Sequence, residues 1–185
     1  MALSLSNIKR WYLMLTGQSI YHVNQSIGEY FQKDKICGYY NNMMEKVQKA
    51  PQYVDNEDMP SLDLGNGKQF FFPVGIFQFA FGLLDLYYKF HEEKYKAKFR
   101  QCADWALAHQ METGAWDNFS YYYSNNPYGA MAQGEGASLL IRAYVQFKEE
   151  KYLSAAKKAI DFMLLSNTEG GCTAVSYTHL RAHET

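Results

Sequence analysis

From Pro73 onward, apolar and polar positions alternate with the period of a helix. Ile76, Phe77, Ala80, Leu83, Leu84, Tyr87 and Tyr88 recur at i, i+3, i+4 and i+7 spacing. Pro73 suits a first helical turn, where its missing N–H leaves nothing unpaired. A second helix is predicted over about 94–110, with Tyr95, Phe99, Cys102, Ala103, Ala106 and Leu107 on its apolar face and Gly114 behind it. A third is predicted over about 128–147 and a fourth over about 151–165. Before them, residues 4–50 read as helical segments punctuated by Gly17, Gly28 and Gly38. Residues 51–72 read as loop, crowded with Pro51, Asp55, Asn56, Asp58, Pro60, Asp63, Gly65, Asn66 and Gly67. So long a loop in a compact domain is often functional or crosses between layers.

The pattern repeats. Shifted by 57 residues, Leu83 falls on Leu140, Tyr87 on Tyr144, Asp104-Trp105 on Asp161-Phe162 and Gly114 on Gly171. The polar turn at 90–95 falls on 147–152. Each copy reads as long helix, tight turn, helix, glycine stop: an αα-hairpin that must stack on a neighbour to bury its apolar faces. The period exceeds the roughly 34 to 47 residues of common helical solenoids. It fits better with an (α/α) toroid, whose long inner helices ring a central cleft. The fold class expected is all-α, an incomplete toroid of such hairpins. Matched positions that agree point to packing; those that differ are free for chemistry. Phe77-Gln78-Phe79 faces Gly134-Glu135-Gly136, and two glycines inside a helix suggest close approach by a neighbouring chain segment or a ligand.

Composition narrows the chemistry. A formal net charge of −1 lacks the Lys/Arg excess a nucleic-acid binder needs. Aromatic residues reach 17%, with 16 Tyr, which suits sugar rings with their apolar faces and hydroxyl edges, or simply the packing of helical repeats. Cys37, Cys102 and Cys172 are odd in number and scattered, neither a disulfide framework nor a metal spacing, and fit a reducing compartment. No apolar run approaches a membrane span and no secretory signal is visible, so a cytoplasmic location is the expectation. His22, His91 and His109 lack partner spacing for zinc or a triad; no metal and no cofactor are expected. The repeated Asp104 and Asp161 point to packing or capping, and the Glu92-Glu93-Lys94 and Glu149-Glu150-Lys151 turns to a solvated rim.

Ala130-Met131-Ala132-Gln133-Gly134 opens the third helix. It resembles the signature segment of the D-glucuronyl C5-epimerase C-terminal domain family. The segment 72–83, the segment 21–28 and the stretch Trp105, Gln110, Gly114-Ala115-Trp116 resemble further family segments in the usual order, so the resemblance covers about 21–171. It implies an isomerase that inverts carbon 5 of glucuronate within a polysaccharide, giving iduronate. A base removes the C5 proton and an acid returns one to the opposite face. It also implies tyrosines as these groups, downstream of the signature, one in a Glu-Tyr-Pro type motif. This chain has no match to those motifs. The catalytic residues are therefore unknown, and the chain as it stands is expected to be inactive.

The remaining candidates are the cleft wall. Gln133 and Glu135 are candidates for sugar hydroxyls, or for capping and packing. Trp116, Tyr121, Tyr122, Tyr123 and Tyr128 lie in the loop before that helix, where sugar stacking competes with loop anchoring. Arg142 is a candidate partner for a substrate carboxylate, or half of a structural ion pair. The expected partners are a uronate-containing polysaccharide and, for the longer product, a second copy of itself. Another toroidal lyase or hydrolase, or a non-catalytic glycan binder, stands as the alternative; a hydrolase needs two carboxylates facing the cleft, and only Glu135 offers itself.

The end of the chain is set apart. Residues 175–185 break the periodicity, match none of the family segments, and reproduce residue for residue the in-frame translation of a transposase-type sequencing adapter. The domain is accordingly expected over 1–173, with 174–185 a non-native tail. On that reading, His179, His183 and Glu184 are not a metal site.

Overall fold

The computed structural model describes residues 5–19, 23, 25–63, 69–118, 120 and 127–172. The fold is all-α apart from one short ribbon. Helix α1 spans Leu5–Leu15 and α2 spans Met44–Gln48. Strands β1 (Leu62–Asp63) and β2 (Gln69–Phe70) pair antiparallel, Leu62 opposite Phe70 and Asp63 opposite Gln69. Then follow α3 (Pro73–Phe90), α4 (Glu93–Ala108), α5 (Ala130–Phe147) and α6 (Glu150–Leu164).

The 57-residue shift carries α3 onto α5 at both ends, and α4 onto α6 at its start. Even the caps coincide. His91 and Lys148 hold the left-handed conformation at φ 57° and 58°, each returning its N–H to the carbonyl four residues back, on Tyr87 or Tyr144. A left-handed residue at this point ends a helix sharply. That geometry turns the chain within two residues into the next helix, so α3 folds back on α4 and α5 on α6.

Helix α3 is the centre. It packs against α2, α4 and α5. Ile76, Phe77, Phe79, Ala80, Phe81, Leu83, Leu84 and Leu86 are all buried, on every side of the helix, the mark of a core helix rather than an amphipathic surface one. Asp104 joins the two hairpins: its Oδ1 accepts from Tyr152 Oη at 2.8 Å and from Lys151 Nζ at 2.9 Å.

Two segments depart from the sequence expectation. Among the described residues of 4–50, helix is confined to α1 and α2; those between them are irregular, with isolated bridges pairing Ile27 with Asn41 and Gln32 with Lys35. The glycines explain why. A Cβ on Gly28 would lie 2.0 Å from the Tyr39 carbonyl oxygen, and one on Gly38 2.6 Å from the Tyr30 carbonyl carbon. The chain crosses itself there, closer than a helix would allow. In 51–72, the predicted loop contains a 3-10 turn at Pro51–Tyr53 and the β1–β2 ribbon. Lys98 of α4 holds this loop from beneath. It is buried, and its Nζ donates to the carbonyls of Asn56 (2.9 Å) and Asp58 (2.8 Å) and to Gln101 Oε1 (3.1 Å). A buried ammonium is tolerable when its donors are used in this way.

Candidate functional site

The site forms where the repeat brings its two unlike copies face to face. Gln78 of α3 and Glu135 of α5 occupy the same position of the repeat. Gln78 Nε2 donates to Glu135 Oε1 at 2.8 Å across the α3–α5 seam. The other oxygen, Glu135 Oε2, is buried without a hydrogen bond. Both side chains line a recess of about 280 Å³, walled also by Gln25, Tyr39, Tyr40, Asn41, Met131 and Gly134. Asn41 Nδ2 donates to Gln25 Oε1 at 3.0 Å, and Tyr40 and Met131 are exposed at the mouth.

Burial governs the titration here. It raises the Glu135 carboxyl to about 7, against the opposing pull of the Gln78 amide, the Lys46 ammonium and the Tyr39 hydroxyl. Burial first, and the Glu135 charge second, hold the Tyr39 phenol well above its ordinary range, so it stays protonated. Burial lowers Lys46, and Glu135 works against that shift. A carboxyl with a pKa near neutrality can hold or release a proton at working pH. The recess therefore combines amide donors and acceptors, a phenol donor, one acid/base carboxyl and an exposed aromatic ring. That mixture suits a ligand with hydroxyl edges and an apolar face.

The structure distributes the sequence candidates unevenly. Glu135 faces the recess. Gln133 is buried and turned inward: its Oε1 accepts from the Trp116 N–H at 2.9 Å and its Nε2 donates to the Trp116 carbonyl at 3.0 Å. Trp116 is fully buried, its Nε1 donating to the Ala106 carbonyl at 2.8 Å and its ring standing edge-on to Phe77. Gln133 and Trp116 thus tie the loop before α5 to α4 and α5. Tyr128 is half-buried with its ring edge-on to Phe162 of α6. Tyr121, Tyr122 and Tyr123 lie outside the described residues, as does His22.

Arg142 is a clamp on a neighbouring loop. Its Nε and Nη2 donate to the carbonyls of Cys37 (2.9 Å) and Gly38 (3.0 Å), and its Nη1 to Ser138 Oγ (2.6 Å). Its guanidinium also lies over the rings of Tyr39 and Phe81, which stack on each other. Arg142 thereby fixes the segment that carries Tyr39 and Tyr40 to the recess. Beneath it, Asp85 is fully buried with neither carboxylate oxygen hydrogen-bonded, and burial raises it to about 7 against the pull of Arg142 and the Tyr39 backbone.

The two glycines separate cleanly. A Cβ on Gly136 would strike the Trp116 ring at 2.4 Å, so Gly136 is required by packing. A Cβ on Gly134 would meet only Met163, at an ordinary 3.7 Å, so no internal contact demands a glycine there. Sequence reasoning missed Tyr39, Tyr40, Lys46 and Gln78 as site residues. The signal for Gln78 was present, since the 57-residue shift sets it against Glu135. Tyr39 and Tyr40 arrive from an irregular segment with no periodicity to place them, and Lys46 from the short helix that follows it.

Among the described residues no group of three or more His, Cys, Asp or Glu is placed to hold a metal, and no helix is long and apolar enough to cross a membrane.

Residues 109–182 match the family described as D-glucuronyl C5-epimerase C-terminus. A D-glucuronyl C5-epimerase of Caenorhabditis elegans is 32% identical over 87 residues, 43% of this chain and 14% of that protein. The chain thus spans only a small part of the relative's length. The two findings support the resemblance to this C-terminal domain family. The matched range holds the Trp116 loop, α5, α6 and all eight wall candidates, while Tyr39, Lys46 and Gln78 fall before it. It runs on to residue 182, overlapping the segment from Val175 that the sequence reading sets apart, which lies outside the described residues.

Proposed function

We propose that this chain is the glycan-holding part of a uronate C5-epimerase, an incomplete (α/α) toroid whose inner helices α3 and α5 line the substrate cleft. The observation that carries the reading is the Glu135 carboxyl at the α3–α5 seam: near-neutral, half-satisfied, and set in a recess of amides and tyrosines within the family-like segment. Glu135 and Gln78 bind sugar hydroxyls, with Tyr39 donating beside them. Tyr128 is proposed at the loop side of the cleft. Trp116, Gln133 and Arg142 act by holding this wall in place rather than by touching substrate.

Inversion at carbon 5 needs a base and an acid on opposite faces of one ring. Burial holds the Tyr39 phenol protonated and makes it a poor base, which leaves Glu135 as the acid/base carboxyl among the described lining residues. The chain as it stands is therefore proposed to bind without turnover. The test uses a polymer of alternating glucuronate and N-acetylglucosamine in deuterated water. Saturable binding, weakened several-fold by Glu135→Ala, without deuterium at C5 is the expected result. Deuterium uptake by this chain would overturn the inactivity. An unsaturated, ultraviolet-absorbing product would replace epimerase by lyase.

A further inference from the structure

A second recess, of about 260 Å³, lies between β2, the start of α3 and the end of α4. Its walls are Phe70, Phe71, Trp105 and, at the back, Trp116; Gln69, His109 and Asp117 supply its polar groups. Phe71 is 43% exposed, and Phe70 and Trp105 are half-buried, so the aromatic surface is open to a ligand. Ribbon β1–β2 brings Phe70 to the start of α3, and α4 brings Trp105 and His109 from the end of the first hairpin. None of these residues faces the Glu135 recess.

The histidine is pre-set. Its ring stacks on Trp105, with centroids 4.1 Å apart and planes inclined by 17°. Its Nδ1 lies 2.8 Å from the Trp105 carbonyl oxygen. A carbonyl only accepts, so Nδ1 carries the hydrogen, and neutral His109 is left with Nε2 as an acceptor. An acceptor nitrogen, a carboxylate and an amide around an aromatic wall match hydroxyl groups at the edge of a ring whose face is apolar. Among the described lining residues Asp117 supplies a carboxylate, which accepts from hydroxyl groups and repels a second carboxylate.

We infer that this second recess is a subsite for a neutral pyranose ring of the glycan, held against Phe71 and Trp105 with its hydroxyls on His109 and Asp117. The inference rests on the glycan-binding reading above and adds to it a second subsite. One chain molecule would then hold a glycan through two recesses, the one at Glu135 and the one here.

Calorimetry on the full chain tests it with two probes, free glucuronate and a glucuronate/N-acetylglucosamine tetrasaccharide. Phe71→Ala and His109→Ala change exposed side chains, and their melting curves check that folding is retained. Each is expected to weaken the tetrasaccharide on the order of tenfold while leaving glucuronate affinity unchanged. In the unaltered chain, the Trp105 indole N–H resonance, assigned with Trp105→Phe, is expected to shift with the tetrasaccharide and not with glucuronate. Unchanged tetrasaccharide affinity in both variants, with a silent Trp105 resonance, overturns the subsite while leaving the glycan reading intact if Glu135→Ala still weakens binding. No binding of either probe by the unaltered chain overturns both.

Discussion

Gly134 and Gly136 stand two residues apart in the same helix and do opposite things. Gly136 leaves room for the Trp116 ring, so Gly136→Ala must push that ring or the helix aside. Overpacking of this kind costs roughly 1–3 kcal/mol. Gly134→Ala has only Met163 to meet, at ordinary contact distance, and alanine is the better helix former by up to about 1 kcal/mol. Urea denaturation should therefore give a lower midpoint for Gly136→Ala and an equal or higher one for Gly134→Ala. Because Gly134 lines the Glu135 recess, its alanine variant should gain stability while binding glucuronate less tightly. A destabilised Gly134→Ala would show that the helix start needs glycine for its own backbone.

At the scale of elements, irregular segments are held by single long side chains reaching out of helices. Arg142 of α5 grips the Cys37 and Gly38 carbonyls with two arms and Ser138 with a third. Lysine can replace the charge but not the fork. Arg142→Lys is expected to lose about 2 kcal/mol, since the released carbonyls and the half-buried site lose charge-assisted bonds. It should also speed amide hydrogen exchange over 38–40 more than in α3, because the loop opens before the core does. Uniform acceleration across the chain would mean that the clamp is part of global stability instead. Lys98 does the same for the 56–58 segment. Lys98→Met should leave the α4 core packed while loosening that loop, read as selective exchange or proteolytic nicking there.

For the whole molecule, two buried carboxyls set the response to pH. Asp85 and Glu135 are each raised to about 7, while in the unfolded chain they titrate near their ordinary values of 3.8 and 4.5. The folded state then binds more protons than the unfolded state between those limits, and stability falls as pH rises through that window. Their favourable contribution is complete below about pH 4 and lost by about pH 7 to 8. The melting temperature should therefore fall between pH 5 and pH 8, and Asp85→Asn should flatten that slope by removing the fully buried charge. A variant with the same slope would place the proton uptake elsewhere. Arg142 draws Asp85 down and Glu29 pushes it up, so breaking the clamp should steepen the dependence.

The sequence by itself determined the helical class, the four long helices to within a few residues, and the repeat that aligns α3 with α5. These are local properties. A period of apolar positions and a sharp stop are written in consecutive residues, and the resemblance in the α5 segment is local too. It could also have told that Gln78 meets Glu135, because equal positions of stacked repeats become neighbours. It could not tell which polar residue of the cleft wall points inward. Gln133 and Glu135 are two residues apart, and only the place of Trp116 turned one to the core and left the other at the recess. Nor could it place Tyr39, which reaches the site through a loop whose path is set by Arg142, some hundred residues later in the chain. Contacts between distant residues depend on how helices pack, and burial, which raised Glu135 to near neutrality, is a property of that packing alone.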